Sequence, residues 1–294
     1  MSTYLDRLNI KLVELKSLKD KFISSTDFFY HNPNHNNSGF YIIGAEVNHW
    51  GTKHNGHEAS QMELKLKFNE FIEYFSLVEH LLAEKKVNEI KKTTIRIRSW
   101  IEKKGGAPGS DIKTSIKRFD DELVKYESVI NLLNTIERNS DIILVPDTNA
   151  LICHPELNDY ALKFPCKINI LIPSTVISEL DRLKIFHNNK EVREKVKSII
   201  TRLKGYKRQG DIINDGVILS KSILLKLLPI EPKFNDSLPW LDPTNMDDRI
   251  IVTILDIELH NLTSEVILIT GDLNLQNKAT LAGIKYMDVD EIFE

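Results

Sequence analysis

Apolar residues in the first part of the chain recur every three or four positions, which is the period of an amphipathic helix. The stripe that begins at Leu5 and the one that begins at Leu64 both keep this period. A third stripe predicts a further helix, with Ser110 or Asp111 as its N-cap. The asparagine- and glycine-rich stretch between the first two stripes predicts a long loop, with a short hairpin around residues 40–43.

From Asp141 onward the pattern changes to short apolar runs separated by amphipathic segments. Such runs are typical of buried parallel strands, and the segments between them are typical of helices. The predicted strands are IILV (142–145), INILI (168–172), VILIT (266–270) and IKYMDV (284–289). We therefore expect an all-α N-terminal domain over residues 1–138 and an α/β domain with a doubly wound parallel sheet over residues 139–294.

Acidic residues follow the predicted strands, at the edge of the sheet where doubly wound folds bind ligands. Asp147 comes directly after the first strand, Asp272 follows the third, and Glu179 lies about two helical turns beyond the second. Asp247 and Asp248 open a predicted helix. Taken singly, each acid has a structural explanation as a helix cap, a turn residue or a surface ion pair. Gathered together they would repel one another, and Mg²⁺ or Mn²⁺ is the usual remedy.

A carboxylate cluster of this kind suits the hydrolysis of phosphodiesters. Two divalent cations about 4 Å apart activate a water molecule and stabilise the leaving oxygen, so that no nucleophilic side chain is required. The sequence contains no serine elbow, no Walker loop and no glycine-rich dinucleotide fingerprint after a strand. These observations favour a metal-dependent nuclease over the other enzyme classes.

Four segments of the second half resemble the motifs of the PIN domain family of metal-dependent ribonucleases. In chain order they are VPDTNALI, IPSTVISELDRLK, NMDDRIIVTI and LITGDLNLQNKATLAGIKY. The resemblance implies that Asp147, Glu179, Asp272 and one of Asp247 and Asp248 are the catalytic, metal-binding acids. We favour Asp248 because its distance from the apolar pattern that follows best matches the third acid of the family, and Asp247 remains the alternative.

The same resemblance assigns supporting roles and a substrate. Thr148 and Asn149 match the family's DTN signature, in which the Asn braces the first loop, and Thr270 and Asn274 match its T-x-D-x-N form. Residues 205–245 form a longer insertion than the minimal family pattern has, which leaves the substrate specificity open. The resemblance implies an endoribonuclease that uses Mg²⁺ or Mn²⁺. A nuclease acting on single-stranded or branched DNA and a non-catalytic scaffold that binds RNA or protein are the alternatives.

Basic residues are concentrated directly after the second motif. Ten Lys or Arg residues lie between positions 182 and 208, against two Glu residues, and this local surplus suits a phosphate backbone. A solvated helix face is the competing explanation. The expected contacts to nucleic acid are Arg182, Lys184, Arg193, Lys197, Arg202 and Lys204.

Composition narrows the remaining possibilities. With 41% hydrophobic and 28% charged residues the chain is globular, and a net charge of −3 shows no overall basic surplus. The two cysteines have no disulfide or metal spacing, and the chain shows neither a signal-peptide pattern nor a run of about 18 apolar residues. We expect a cytoplasmic protein without a membrane partner, whose N-terminal helices serve for oligomerisation or partner recruitment.

Overall fold

The computed structural model describes most of the chain. The described residues are 3–31, 47–135, 141–161, 163–164, 166–235 and 237–293. The chain divides into two compact units, Leu5–Ile136 and Glu137–Glu294, the second of which also includes Met1–Tyr4. The hairpin predicted around residues 40–43 and the predicted domain boundary between residues 138 and 139 lie outside the described residues.

The N-terminal unit is mainly helical, as predicted. Its helices are α1 (Tyr4–Ile23), α2 (His57–Ser76), α3 (Glu84–Ile101) and α4 (Ile112–Leu133), and its strands are β1 (Thr26–His31) and β2 (Val47–Lys53). Asp111 caps α4, since its side chain accepts a hydrogen bond from the Thr114 N–H. The apolar stripes of α1, α2 and α4 supply the buried Leu5, Phe68 and Leu123.

The prediction of a loop between the first two helices was wrong at both ends of that stretch. Strands β1 and β2 pair antiparallel there. The rings of Phe28 and Trp50 lie 5.2 Å apart, and Trp50 also packs 5.7 Å from Phe22 of α1. Contacts across a strand pair stabilise such a hairpin, and they leave no apolar periodicity in a sequence rich in Asn and His.

The C-terminal unit contains a mixed six-stranded sheet, which confirms the predicted α/β class. The strands lie in the order β5-β6-β4-β3-β7-β8, and all neighbours are parallel except β5 and β6 at one edge. The strands are β3 (Ile142–Pro146), β4 (Ile168–Pro173), β5 (Val217–Ser220), β6 (Ile223–Leu228), β7 (Glu265–Ile269) and β8 (Lys285–Met287). The helices are α5 (Thr148–Cys153), α6 (Ser174–Phe186), α7 (Lys190–Lys207), α8 (Met246–His260), α9 (Leu273–Leu281) and α10 (Val289–Phe293).

Strands β5 and β6 occupy the insertion for which the sequence pattern predicted no strand. They form an antiparallel hairpin at the edge, joined across Lys221 and Ser222. A two-residue connection between apolar runs is a hairpin signal, but Ser220 shortens the first run and Lys226 interrupts the second. The insertion therefore widens the sheet beyond β4.

Strand β3 lies at the centre of the sheet, between β4 and β7. Every residue of β3 and β7 is buried, as expected for central strands covered on both faces. The pairing continues past the end of β3, where the Asp147 N–H donates to the Ile269 carbonyl at 3.0 Å. The residues that follow β3 and β7 are thereby brought side by side.

Within the part of the chain that the structure describes, every helix is too short or too polar to cross a bilayer.

Candidate active site

A cavity of about 210 Å³ lies beyond the carboxyl ends of β3 and β7. It is lined by Asp147, Thr148, Asn149, Ile152, Glu179, Leu183, Asp247, Ile250, Asp272 and Leu275. Four of the acids that the sequence singled out therefore share one cavity, although they are far apart along the chain. The fifth, Asp248, does not line it.

Asp147 is held rigidly at the end of β3 and is only 4% exposed. It is the N-cap of α5, where its Oδ1 accepts a hydrogen bond from the Ala150 N–H at 2.6 Å. Its Oδ2 accepts a hydrogen bond of 2.5 Å from the Thr270 hydroxyl. The Thr270 oxygen in turn accepts one of 3.0 Å from the Asp272 N–H. This chain of hydrogen bonds fixes Asp147 relative to the loop after β7.

Burial, helped by the negative charges of Asp272 and Glu179, raises the pKa of Asp147 to about 6 from its ordinary value of 3.8. The hydrogen bonds from Thr270 and Ala150 oppose this shift, because they favour the ionised carboxylate. The carboxylates of Asp272 and Glu179 therefore repel that of Asp147 across the cavity. At neutral pH the Asp147 carboxyl group is nevertheless mostly ionised.

Glu179 reaches the cavity from the middle of α6. Its Oε2 accepts a hydrogen bond of 2.6 Å from the Thr148 hydroxyl, which is the supporting contact made by the threonine of the DTN motif. Its Oε1 lies 3.6 Å from a guanidinium nitrogen of Arg182, whose side chain is 62% exposed. An exposed ion pair of this kind is weak, so its contact with Arg182 leaves the Glu179 carboxylate able to bind a cation.

Asp272 and Asn274 lie together at the start of α9. Asp272 caps this helix, since its Oδ1 accepts hydrogen bonds from the N–H groups of Asn274 (2.8 Å) and Leu275 (3.2 Å). The Asn274 side-chain amide donates to Asp247 Oδ2 at 2.8 Å. Asn274 thus links two of the cavity acids, while Asn149 is exposed on the cavity wall.

The two neighbouring acids of α8 have different surroundings. Asp248 is 5% exposed, and its Oδ2 accepts a hydrogen bond of 2.9 Å from the Asp242 N–H. Asp247 is half-buried and faces the cavity. Adjacent helical residues point about 100° apart, and of this pair Asp247 alone lines the cavity. The geometry favours Asp247 as the third acid, against the sequence-based preference for Asp248.

Lys278 is a site residue that the sequence reasoning missed. Its ammonium group lies 2.8 Å from Asp248 Oδ1 and 3.2 Å from Asp247 Oδ2. Burial lowers the pKa of Lys278, but hydrogen bonds and Coulomb attraction from Asp248 and Asp247 outweigh it and raise the pKa above its ordinary value. The available signal was spacing: Lys278 lies one helical turn after Asn274, on the same face of α9.

The cavity can be tested for its fit to a divalent cation. Among the described residues, no three His, Cys, Asp or Glu side chains come close enough to hold one ion directly. Magnesium, however, keeps several waters and is commonly held by one or two carboxylates. A cavity of about 210 Å³ has room for such waters, each of which occupies about 30 Å³ in the liquid. The oxygen donors present therefore fit a hydrated divalent cation.

The six predicted nucleic-acid contacts differ in their surroundings. Four have an acidic partner nearby, and three of these partners lie outside the cavity: Lys184 pairs with Asp181 at 3.9 Å, Lys197 with Glu194 at 2.7 Å, and Arg202 with Glu156. Arg193 donates to the carbonyls of His187 and Asn188, and so holds the loop between α6 and α7. Lys204 is exposed on α7. Arg182 lies next to the cavity acids through its pairing with Glu179.

The raised pKa of Asp147 predicts a dependence of stability on pH. The folded protein binds this proton more tightly than the unfolded chain, so the carboxyl group stabilises the fold fully below pH 4 and loses that contribution as the pH rises through about 6. Asp147→Asn removes this titration. In urea unfolding with EDTA, the unmutated protein should lose on the order of 2 kcal/mol more than the variant between pH 4 and pH 7.5. Parallel pH profiles would contradict the assignment, and Asp181→Asn on the surface of α6 is the control.

The different surroundings of Asp247 and Asp248 predict different effects on folding. Asp248→Asn replaces the buried partner of Lys278 and should lower the free energy of unfolding by about 1–3 kcal/mol. Asp247→Asn should change it by less than about 1 kcal/mol, because the more exposed Asp247 also repels the other cavity acids. Urea unfolding of both variants checks the order. A larger loss for Asp247→Asn would place Asp247, not Asp248, in the structural role.

Comparison with known proteins agrees with this site. A family model described as the PIN domain matches residues 144–290, which is half of the 294-residue chain. The matched segment begins within β3 and ends within α10, so it contains every acid that lines the cavity. A search of curated proteins found no match. The chain therefore belongs to the PIN domain family, whose members are in general nucleases.

Proposed function

We propose that this protein is an endoribonuclease that hydrolyses RNA phosphodiesters with the help of Mg²⁺ or Mn²⁺. The observation that carries the proposal is the convergence of Asp147, Glu179, Asp247 and Asp272 on one cavity at the carboxyl edge of the sheet. Membership of a nuclease family supplies the reaction class. The four cavity acids indicate where this reaction would take place.

The charges of the cavity support a requirement for a cation. Over the described ranges of the chain, two cations are paired with its four carboxylates: the exposed Arg182 and Lys278, the second of which is shared with the buried Asp248. An RNA backbone is itself anionic and would be repelled by this surplus of negative charge. A divalent cation between the carboxylates and a phosphate removes the repulsion. When bound, it also supplies an activated water and stabilises the charge that develops on the phosphate.

The side chains of this protein would then have distinct tasks. Asp147, Glu179, Asp247 and Asp272 would hold the hydrated cation through oxygen atoms. Thr270 orients Asp147, Thr148 orients Glu179, and Asn274 orients Asp247, each by a hydrogen bond of 2.8 Å or shorter. Such outer partners keep the carboxylates in place before the ligand arrives.

The rim of the cavity supports cleavage within a strand. Asn149 and Asp272 line the cavity and are exposed to solvent, and a site open in this way would admit the middle of a nucleic-acid strand as well as an end. A circular RNA substrate distinguishes this mode from attack at an end. Matched RNA and DNA strands of one sequence decide between the proposed substrate and single-stranded DNA.

We expect cleavage of linear and circular single-stranded RNA with Mn²⁺ or Mg²⁺, and none with EDTA. Asp147→Asn should lower the rate by about 100-fold or more, since even outer partners of a metal ligand are commonly worth 10- to 100-fold. Gel analysis of labelled RNA products measures the effect. Asp181→Asn removes an acid of α6 that does not line the cavity, and it should cleave at the unmutated rate. Cleavage that survives EDTA, or near-normal activity of Asp147→Asn, would contradict the proposal.

One observation favours the alternative of a non-catalytic scaffold that binds RNA or protein. Lys278 already neutralises part of the charge of Asp247, and such a pairing competes with a metal ion. A scaffold predicts RNA binding without metal-dependent products. The cleavage assay described above therefore distinguishes a nuclease from a scaffold.

A further inference from the structure

A second cavity lies along α6 and shares one lining residue, Leu183, with the acidic cavity. Its volume is about 540 Å³, and it is lined by Arg182, Leu183, Phe186, His187, Asn188 and Asn189. Leu183 lines both cavities, so they are neighbours on the same surface. The nuclease function as proposed above gives this second cavity no task.

The helical spacing of α6 explains why the two cavities are adjacent. Glu179, Arg182, Leu183 and Phe186 are separated by three, four and seven positions, which places them on one face of the helix. At a rise of 1.5 Å per residue, Phe186 lies about 10 Å further along the helix axis than Glu179. A chain that crosses the acids and follows α6 would therefore meet Arg182 and then Phe186.

Phe186 is unusually open to solvent for a large apolar side chain. It is 75% exposed, and Ile185 beside it is 64% exposed. A single exposed apolar residue is common on protein surfaces and means little by itself. Phe186 differs from Ile185 because it lines a cavity that shares Leu183 with the acidic cavity. An exposed aromatic ring next to a site for phosphates offers a stacking surface.

The loop that completes the second cavity is held in a fixed shape. Arg193 donates to the His187 and Asn188 carbonyls, the latter at 3.2 Å. The Asn189 N–H donates to His187 Nδ1 at 3.1 Å, and Asn189 Oδ1 accepts from the Glu191 N–H at 2.8 Å as the cap of α7. The polar wall opposite Phe186 is therefore formed before any ligand binds, which lowers the entropic cost of binding.

The charge and chemistry of this wall match one component of a nucleic acid. The Arg182 guanidinium group is 62% exposed and can contact a phosphate, while Asn188 is exposed and carries both a donor and an acceptor for a base edge. Phe186 adds an apolar face. A cation, an amide and an aromatic ring around a cavity of this size are the groups that bind a nucleotide.

We propose that the cavity between Phe186 and Asn188 is a nucleobase subsite, in which Phe186 stacks on a base next to the phosphate held at the acidic cavity. The subsite makes single-stranded nucleic acid the preferred substrate, because a base inside a duplex has both faces covered by its neighbours. Arg193 is a positioning residue, since it shapes the loop without facing the base. This proposal rests on the proposed function, from which it takes the class of ligand.

The test compares Phe186→Ala with Ile185→Ala, which truncates an equally exposed neighbour outside the cavity. The dissociation constant for a labelled 12-nucleotide single-stranded RNA is measured by fluorescence anisotropy at low salt with Ca²⁺, an oxygen-binding cation that removes the repulsion from the cavity acids, and gel analysis checks that the RNA stays intact. Phe186→Ala should weaken binding by about 5- to 100-fold, equivalent to about 1–3 kcal/mol. Ile185→Ala should bind as the unmutated protein does, and Phe186→Trp should retain binding because it keeps an aromatic face.

A spectroscopic signal separates stacking from a merely structural effect. The fluorescence of 2-aminopurine falls when the base stacks, so one position of a substituted RNA should be quenched by the unmutated protein and by Phe186→Trp but not by Phe186→Ala. Binding of a blunt RNA duplex should be weaker than that of the single strand and unchanged by Phe186→Ala.

The outcomes distinguish this proposal from the nuclease function. Equal affinities of Phe186→Ala and Ile185→Ala, or no binding of single-stranded RNA by the unmutated protein, would overturn the subsite. Metal-dependent cleavage together with equal affinities would overturn the subsite alone and leave the nuclease function standing. Stacking on Phe186 by a protein that cleaves neither RNA nor DNA would support the subsite and overturn the nuclease function.

Discussion

The burial of a carboxylate at the end of the central strand is the constraint on which the site depends. Moving an unpaired charge out of water is costly, and Asp147 is 4% exposed. Its two oxygens are held by the Ala150 N–H at the start of α5 and by the Thr270 hydroxyl after β7. These contacts require that β3 and β7 be neighbours in register. The parallel sheet is thus the frame that keeps this acid ionisable and turned toward the other three acids.

The remaining acids differ in their surroundings, since one is paired within the fold and the others line the cavity. Asp248 is buried and paired with Lys278, so its charge is used within the fold. Asp147 and Glu179 repel each other electrostatically, which contributes to the raised pKa of Asp147. Like charges held close together lower the stability of the fold. Proteins retain such repulsion mainly where a ligand relieves it. The ammonium group of Lys278 reduces the repulsion between the acids but does not remove it.

The class of the α/β unit and its strands β3, β4 and β7 could be predicted from the sequence, because these strands are continuous apolar runs and the helices keep one period, whereas the edge hairpin of β5 and β6 was not predicted. The hairpin of β1 and β2 could not, since Trp50 and Phe28 stabilise it across strands and leave no periodic pattern. The motif order pointed to the acids that line one cavity. It did not resolve Asp247 from Asp248, because that choice depends on the rotation of α8 relative to the sheet, which is set by tertiary packing. Lys278 was missed because tertiary packing also sets its contacts, since its partners Asp247 and Asp248 lie on another helix.

The central claim is that the four cavity acids together bind a divalent cation, and calorimetric titration of the unmutated protein with Mn²⁺ at pH 6.5 tests it most directly. With a pKa of about 6, part of the Asp147 population is protonated at this pH, so binding should release protons. The account predicts saturable binding at micromolar to millimolar Mn²⁺, with a heat that depends on the ionisation enthalpy of the buffer. Asp147→Asn should weaken binding and abolish the buffer dependence. No saturable heat up to millimolar Mn²⁺, or identical titrations of the two proteins, would contradict the claim.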